Sequence, residues 1–349
     1  MKRRRLDLKP QRINSSGLPQ GERDTLEELH LFETTGLIGL KTAAAVAAIA
    51  GAGQPLTGLF GATRDLVTQH LESFLDGAAT MAANDAKEIA ERLDLSPRQL
   101  MMELVPVARR HARSPVSNHR VGAVVQGNSG NLYLGFNIEI PEVPLVQTVG
   151  AEQAAVINAL NGGERGIKAI AVNNPPSGFC RQFLYELEAG GELRIFLPDR
   201  SLKLKALLPS SFGPKDMGQE GALLNSQRNN LQLLKDSKDS VVHHAFEAAC
   251  RSYAPYTHCP SGLALATDEQ SFAGSYCENA AFNPSISPLQ SALVSLYSHG
   301  RSVNDVRRCV LIERARVFPS QIGQASSSEY MLKVLAPKAS FEVCHVRVF

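Results

Sequence analysis

No two of the six cysteines stand in a C-x-x-C pair. Cys180, Cys250, Cys259, Cys277, Cys309 and Cys344 are scattered along 349 residues. That spacing excludes a disulfide framework and fits a reducing cytoplasm. Charge of one sign is lacking too: 36 basic against 34 acidic residues leave a net +2. A balance so close to zero excludes whole-surface attraction to nucleic acid. Long apolar runs are missing. The most apolar stretch, "TAAAVAAIAGAG" (Thr42 to Gly53), is too short and too rich in glycine to span a membrane. It also lies too deep for a secretory signal, and reads as a buried helix. Tryptophan is absent, yet 44% hydrophobic and 20% charged residues are ordinary for a soluble globular chain. One to three domains are expected at this length.

What is present falls into segments. The opening "MKRRR" reads as a solvated tail, with an address signal or a polyanion contact as alternatives. Residues 1 to about 25 are polar and aperiodic. From Asp24 to about Leu95, Ala, Leu and Glu recur at helical spacing. Ser96 is a natural N-cap and Pro97 a natural first residue for the next helix. "VGAVVQGNSGNLYLGFNIE" alternates, turns at Gly-Asn-Ser-Gly and alternates again, as a hairpin does. A helix at 150–162, the strand "IKAIAVN", a helix at 178–189 and the strand "LRIFLP" follow. Strands alternating with helices predict an α/β layered domain. A Pro, Gly, Ser and Asn-rich stretch then puts a connection at 206–240.

Beyond it the pattern recurs. "SPVSNHRVGAVV" (114–125) aligns with "APYTHCPSGLAL" (254–265) at an offset of 140 residues, "LGFNIEI" with "GSYCENA", and "TVGAEQAAV" with "SPLQSAL". Two copies of one α/β unit are expected.

These residues resemble the cytidine deaminases, specifically the long bacterial homodimeric type with a catalytic domain and a second, degenerate copy. The resemblance runs from about Ser96 to near the C-terminus through "SNHRVGAV", "FNIE", "TVGAEQAA", "GFCRQF", "SFGPKDM" and "AGSYCENAAFNP". It implies two three-layer α/β/α units behind an N-terminal helical region: residues 1–95 as leader, 96–205 as first unit, 206–240 as linker, 241–349 as second unit. It also implies a homodimer with sites near the subunit interface. In that family a zinc ion held by the His of H-A-E and two Cys of P-C-x-x-C activates a water, and the Glu carries protons. In this chain Gly150 stands at the His position and Ser177 at the first Cys position. Cys180 is the sole remaining family ligand, and Glu152 is the retained proton shuttle. Glycine offers no ligand atom, and a neutral serine hydroxyl suits zinc poorly. No cofactor is therefore expected, zinc being the one the family would use.

The family's N-x-E strand binds the sugar, which implies that role for Asn137 and Glu139; surface residues on a strand are the alternative. His119 stands where an aromatic would stack on the base, and is also a candidate relocated ligand; Arg120 is a candidate phosphate contact. Plain loop positions are the alternative for both. In the second copy "PLQ" (Pro288 to Gln290) takes the place of H-A-E, and His258 beside Cys259 is a candidate metal or thiol pair against an inert buried cysteine. Three functions stay open. One is an inactive homologue that keeps a pyrimidine nucleoside pocket in the cytoplasm as a sensor, regulator or scaffold. A second is an enzyme of nucleoside or nucleotide metabolism, using a site rebuilt around Glu152, Cys180 and His119 or Glu152 alone. The third is a structural subunit docking a protein partner through residues 1–95.

Overall fold

The computed structural model describes residues 67–69, 71–225, 228–315 and 321–349. The tail "MKRRR" and the apolar run at Thr42–Gly53 lie outside the described residues. Residues 84–100 belong to one compact unit, and residues 68–83 with 101–349 to another that carries both β-sheets. Among the described residues no helix is long and apolar enough to cross a membrane.

The helical reading of 24–95 needs correction within the described part. Residues 71–75 are helical, but Asp76 and Gly77 take φ of 46° and 81°, which ends the helix. Strand β1 (Thr80–Met81) follows and pairs antiparallel with Leu132 and Tyr133 at the edge of the first sheet. Helix α1 (Ala83–Arg92) comes next. Helix α2 (Pro97–Arg110) starts where expected. Ser96 Oγ accepts from Gln99 N at 3.3 Å, and Gln99 Oε1 accepts from Ser96 N at 2.9 Å, a reciprocal cap.

The expected hairpin is β2 (Gly122–Gly127) and β3 (Leu132–Phe136). Helix α3 (Ala151–Asn161), strand β4 (Ile167–Val172), helix α4 (Gly178–Tyr185), strand β5 (Arg194–Phe196) and strand β6 (Ser201–Lys203) follow. Helix α4 stops four residues short of the expected end, because Glu186 caps it and residues 190–192 turn in a tighter helix. The first sheet has the order β1-β3-β2-β4-β5-β6.

The second sheet begins inside the stretch read as a connection, with edge strand β7 (Leu231–Leu233). Then come α5 (Ser240–Cys250), β8 (Ser261–Ala266), β9 (Ser271–Ser275), α6 (Pro288–Ser298), β10 (Arg308–Arg314), α7 (Ala325–Leu335) and β11 (Ser340–Val348). Its order is β7-β11-β10-β8-β9. Ala273 packs into a cluster with Ala245 and Ala249 of α5, whereas a β-carbon on the next residue, Gly274, would meet the backbone of α6. Successive strand residues point to opposite faces, so α5 and α6 cover opposite faces of the sheet. This is the three-layer mixed-sheet architecture expected.

Both sheets share one core: an antiparallel hairpin, a third strand antiparallel to the first, and a fourth parallel to the third. The repeat is therefore real, but its offset is not constant. Gln126 pairs with Leu132, whereas Ala266 pairs with Ser271, so the second turn is one residue shorter. From there Ile138, bridged to Arg113 and Val149, corresponds to Cys277, bridged to Tyr253 and Ile286. The next loop shortens by two more, and at the helices the offset is 137. Ser287 then stands at Gly150, Pro288 at Ala151 and Leu289 at Glu152. The triplet replacing H-A-E is thus "SPL" rather than "PLQ", and Gln290 is the twin of Gln153.

Candidate active site

Two helix starts converge at the retained motif residues. Gly150 precedes α3, and its N–H donates to Gln153 Oε1 at 2.9 Å. Ser177 precedes α4, and its Oγ accepts from Cys180 N at 3.3 Å. Glu152 and Cys180 are both buried, 6% and 4% exposed. A β-carbon on Gly150 would stand 2.6 Å from Cys180 Sγ and 3.6 Å from Glu152 Oε2. The thiol thus borders the space that a side chain at 150 would need.

Cys180 and Glu152 act on each other in the interior: the carboxylate raises the thiol, and the thiol lowers the carboxyl. Burial and the neighbouring Glu152 carboxylate push the Cys180 thiol well above its ordinary value; the Ser177 hydroxyl and the Gln153 N–H pull the other way. A metal bound here would have to displace the thiol proton, as zinc does at any cysteine ligand. The Ser177 hydroxyl is already engaged as an N-cap. Gly150 contributes no donor. Among the described residues, no three His, Cys, Asp or Glu side chains gather as a metal ligand set. His119 is exposed on its loop and is not grouped with Glu152 and Cys180. The residues here do not fit a zinc ion.

Burial raises the Glu152 carboxyl above its ordinary value, partly opposed by its own backbone N–H and by the Cys180 thiol. A carboxyl raised in the folded state contributes stability that is present below its unfolded value. That contribution is lost as pH rises through the folded value. Glu152→Gln removes the ionising group, so the variant should melt above the parent at pH 7, with the advantage gone near pH 4. Thermal denaturation across that range measures it. A variant that melts lower at pH 7 would show that the fold needs the charge.

Asn137 and Glu139 hold the preceding loop. Asn137 Oδ1 accepts from Val121 N at 2.8 Å, and its Nδ2 donates to the His119 carbonyl at 2.9 Å. Glu139 Oε2 accepts from Val116 N and Ser117 N, each at 2.9 Å, and Oε1 accepts from Ser117 Oγ at 2.5 Å. Burial raises the Glu139 carboxyl, but the bonds from Ser117 and Val116 outweigh it and bring it below the ordinary value. Glu278 does the same in the second repeat, accepting from Tyr256 N, Thr257 N and Thr257 Oγ1. The clamp belongs to the repeat. Arg120 is exposed. His258 is exposed in a left-handed conformation, φ 53°, while Cys259 is buried with its thiol on the Thr257 carbonyl at 3.4 Å.

Two features have no sequence motif. Gln153 Nε2 donates to the Pro284 carbonyl at 3.0 Å, and Gln290 Nε2 to the Gln147 carbonyl at 2.9 Å. Each helix start is thereby tied to the other repeat, as a two-fold relation requires; a Gln at the third position of both helices was the signal available. The other is Glu186, fully buried, which accepts from Tyr253 OH at 2.8 Å, Tyr256 OH at 2.5 Å and Ala280 N at 2.9 Å.

Family models described as the "cytidine and deoxycytidylate deaminase zinc-binding region" match twice, at residues 95–191 and 204–326. A protein named cytidine deaminase from Vibrio parahaemolyticus is 39% identical over 264 residues, 75% of this chain and 88% of that one. The chain belongs to the cytidine deaminase family. Proteins of the same name from Aliivibrio fischeri and Pectobacterium carotovorum are each 42% identical, over 71% and 70% of this chain and 82% and 83% of theirs. A solved cytidine deaminase from Mycobacterium tuberculosis is 32% identical over 33% of this chain and 95% of its own, with a TM-score of 0.31.

Proposed function

We infer that this member of the cytidine deaminase family has lost zinc-dependent deamination. It keeps a pyrimidine-nucleoside-type pocket and acts by binding, in a regulatory, sensing or scaffold role. One observation carries the reading. The space beside Gly150, where the family's His would stand, borders the buried Cys180 thiol and Glu152, and Gly150 supplies no ligand to it. A single thiol does not close a tetrahedral site, and Ser177 is used as a cap. In this reading Glu152 is idle as a proton carrier, and Asn137 and Glu139 shape the sugar side of the pocket through the loop they clamp. A homodimer fits the family resemblance, and exposed Leu145, Val146, Phe179 and Phe282 supply apolar surface for it. Six free cysteines suit a cytoplasmic location.

The second reading is an active enzyme on cytidine or deoxycytidine. Identity of 39–42% to proteins named cytidine deaminase, with Glu152 in place, favours it. Zinc per chain and ammonia release from cytidine and deoxycytidine separate the two. The expected result is sub-stoichiometric zinc and no ammonia above background. One tightly bound zinc per chain that disappears in Cys180→Ala, or ammonia release that disappears in Glu152→Gln, would establish the second.

A further inference from the structure

The two repeats treat one position differently. In the second, the loop carrying Tyr253 and Tyr256 receives the buried Glu186 carboxylate from the C-terminal end of α4. In the first, the corresponding loop residue is Arg113. Its N–H donates to the Asn137 carbonyl and its own carbonyl accepts from Glu139 N, the same pattern that Tyr253 makes with Tyr276 and Glu278. The helix corresponding to α4 is α7, since each joins the two parallel strands of its sheet. Helix α7 ends in Leu335 and Ala336, with no acid to offer. A cavity of about 550 Å³ lies there, with Arg113, Asn118, Arg120, Glu139, Tyr297 and Leu335 in its wall.

The first repeat therefore has a cation where the second has a tyrosine, and an open space where the second has a carboxylate. The Arg113 guanidinium is held in place beforehand. It lies 5.2 Å from the centre of the Tyr297 ring, and Nη1 donates to the His111 carbonyl at 3.0 Å. Its remaining N–H groups form a planar fork suited to an oxyanion. Arg120 adds a second positive charge and makes no ion pair among the described residues. The charge of Glu139 is already met by Val116 N, Ser117 N and Ser117 Oγ. Two arginines suit a dianion better than a single carboxylate. A cavity of this size also holds more than a bare oxyanion, being within the usual range for small-ligand sites.

We propose that this cavity binds a phosphate monoester of nucleotide size, its phosphate taken by Arg113 and Arg120 at the place where the second repeat buries Glu186. The inference does not depend on the state of Cys180 or on whether the chain deaminates.

Calorimetric titration of the full chain with cytidine 5′-monophosphate, cytidine and inorganic phosphate tests it. The nucleotide should bind at least about tenfold more tightly than the nucleoside, as expected for charge-assisted contacts. Arg120→Gln, at an exposed position, should weaken the nucleotide by about tenfold or more and leave cytidine unchanged. Leu335→Glu should do the same by supplying an internal carboxylate to the cavity, as Glu186 does in the other repeat. Equal binding of nucleotide and nucleoside, no binding of either, or a nucleotide affinity indifferent to Arg120→Gln would overturn the proposal. Inorganic phosphate binding as tightly as the nucleotide would overturn the nucleotide assignment in favour of free phosphate.

Discussion

The double variant Gly150→His, Ser177→Cys should take up about one zinc per chain, whereas the parent and each single variant should not. The scaffold for this is in place. The two helix starts that would present the new ligands converge at Cys180, within 2.6 Å of the β-carbon position of residue 150. That distance also sets the cost. A side chain at 150 overlaps Sγ where it now stands, so Cys180 must rotate about its single χ angle. The atom in the way is the free end of a short side chain and not backbone. Ser177→Cys weakens the cap on α4, a loss of about 1 kcal/mol. With free zinc a hundredfold above Kd, binding would return about 2.7 kcal/mol, more than the lost cap. Zinc uptake requires the thiols to lose their protons, so affinity should fall with falling pH. Atomic absorption on gel-filtered protein gives the metal content, and circular dichroism shows whether the variant is folded. A folded double variant that takes up no zinc would mean that the helix starts have drifted from a deaminase geometry although the fold is kept.

The sequence was most informative where local chemistry repeats. Ser96, Pro97 and Gln99 announce the start of α2 because capping is a contact between near neighbours. The β2–β3 hairpin shows because alternation and a glycine turn are local too. Glu152 and Cys180 were legible as a pair only through the family resemblance, since 28 residues separate them and nothing local links the two helix starts. The repeat was visible but misregistered. Identity cannot locate a one-residue change in turn length, whereas strand pairing does; pattern alone puts Pro288 where the pairing puts Ser287. Strand β1 escaped because two residues carry no periodicity. Strand β7 escaped for a related reason: three residues in a polar stretch form an edge only because β11 lies alongside. The use made of Asn137 and Glu139 was also hidden. Their loop contacts join residues about 20 positions apart, which no local pattern signals, and the matching contacts of Glu278 show that the clamp is shared by both repeats.

Glu186→Ala should cost the protein about 2–4 kcal/mol, the largest loss expected from a single change outside the helix starts. Nothing in "FLYELEAG" marks Glu186 as special, yet it is fully buried and joins the two repeats. Its carboxylate accepts from the hydroxyls of Tyr253 and Tyr256 and from Ala280 N, all in the second repeat. Truncation strands three donors in the interior at about 1–3 kcal/mol each, less the relief of no longer burying a carboxyl. The pH dependence identifies the group. Burial raises the Glu186 carboxyl, and the bonds from Tyr256, Ala280 and Tyr253 only partly restore it. A raised carboxyl contributes stability that is fully present below its unfolded value and declines as pH rises through the folded value. Glu186→Gln, which keeps the size and an acceptor oxygen, should therefore be most destabilised relative to the parent in acid, with the gap narrowing toward neutrality. Urea denaturation of the parent and both variants at pH 4 and pH 7 measures these differences. A Glu186→Gln penalty that grows toward pH 7 would mean that Glu186 is ionised and stabilising in the fold, and that the two tyrosines, rather than burial, set its charge.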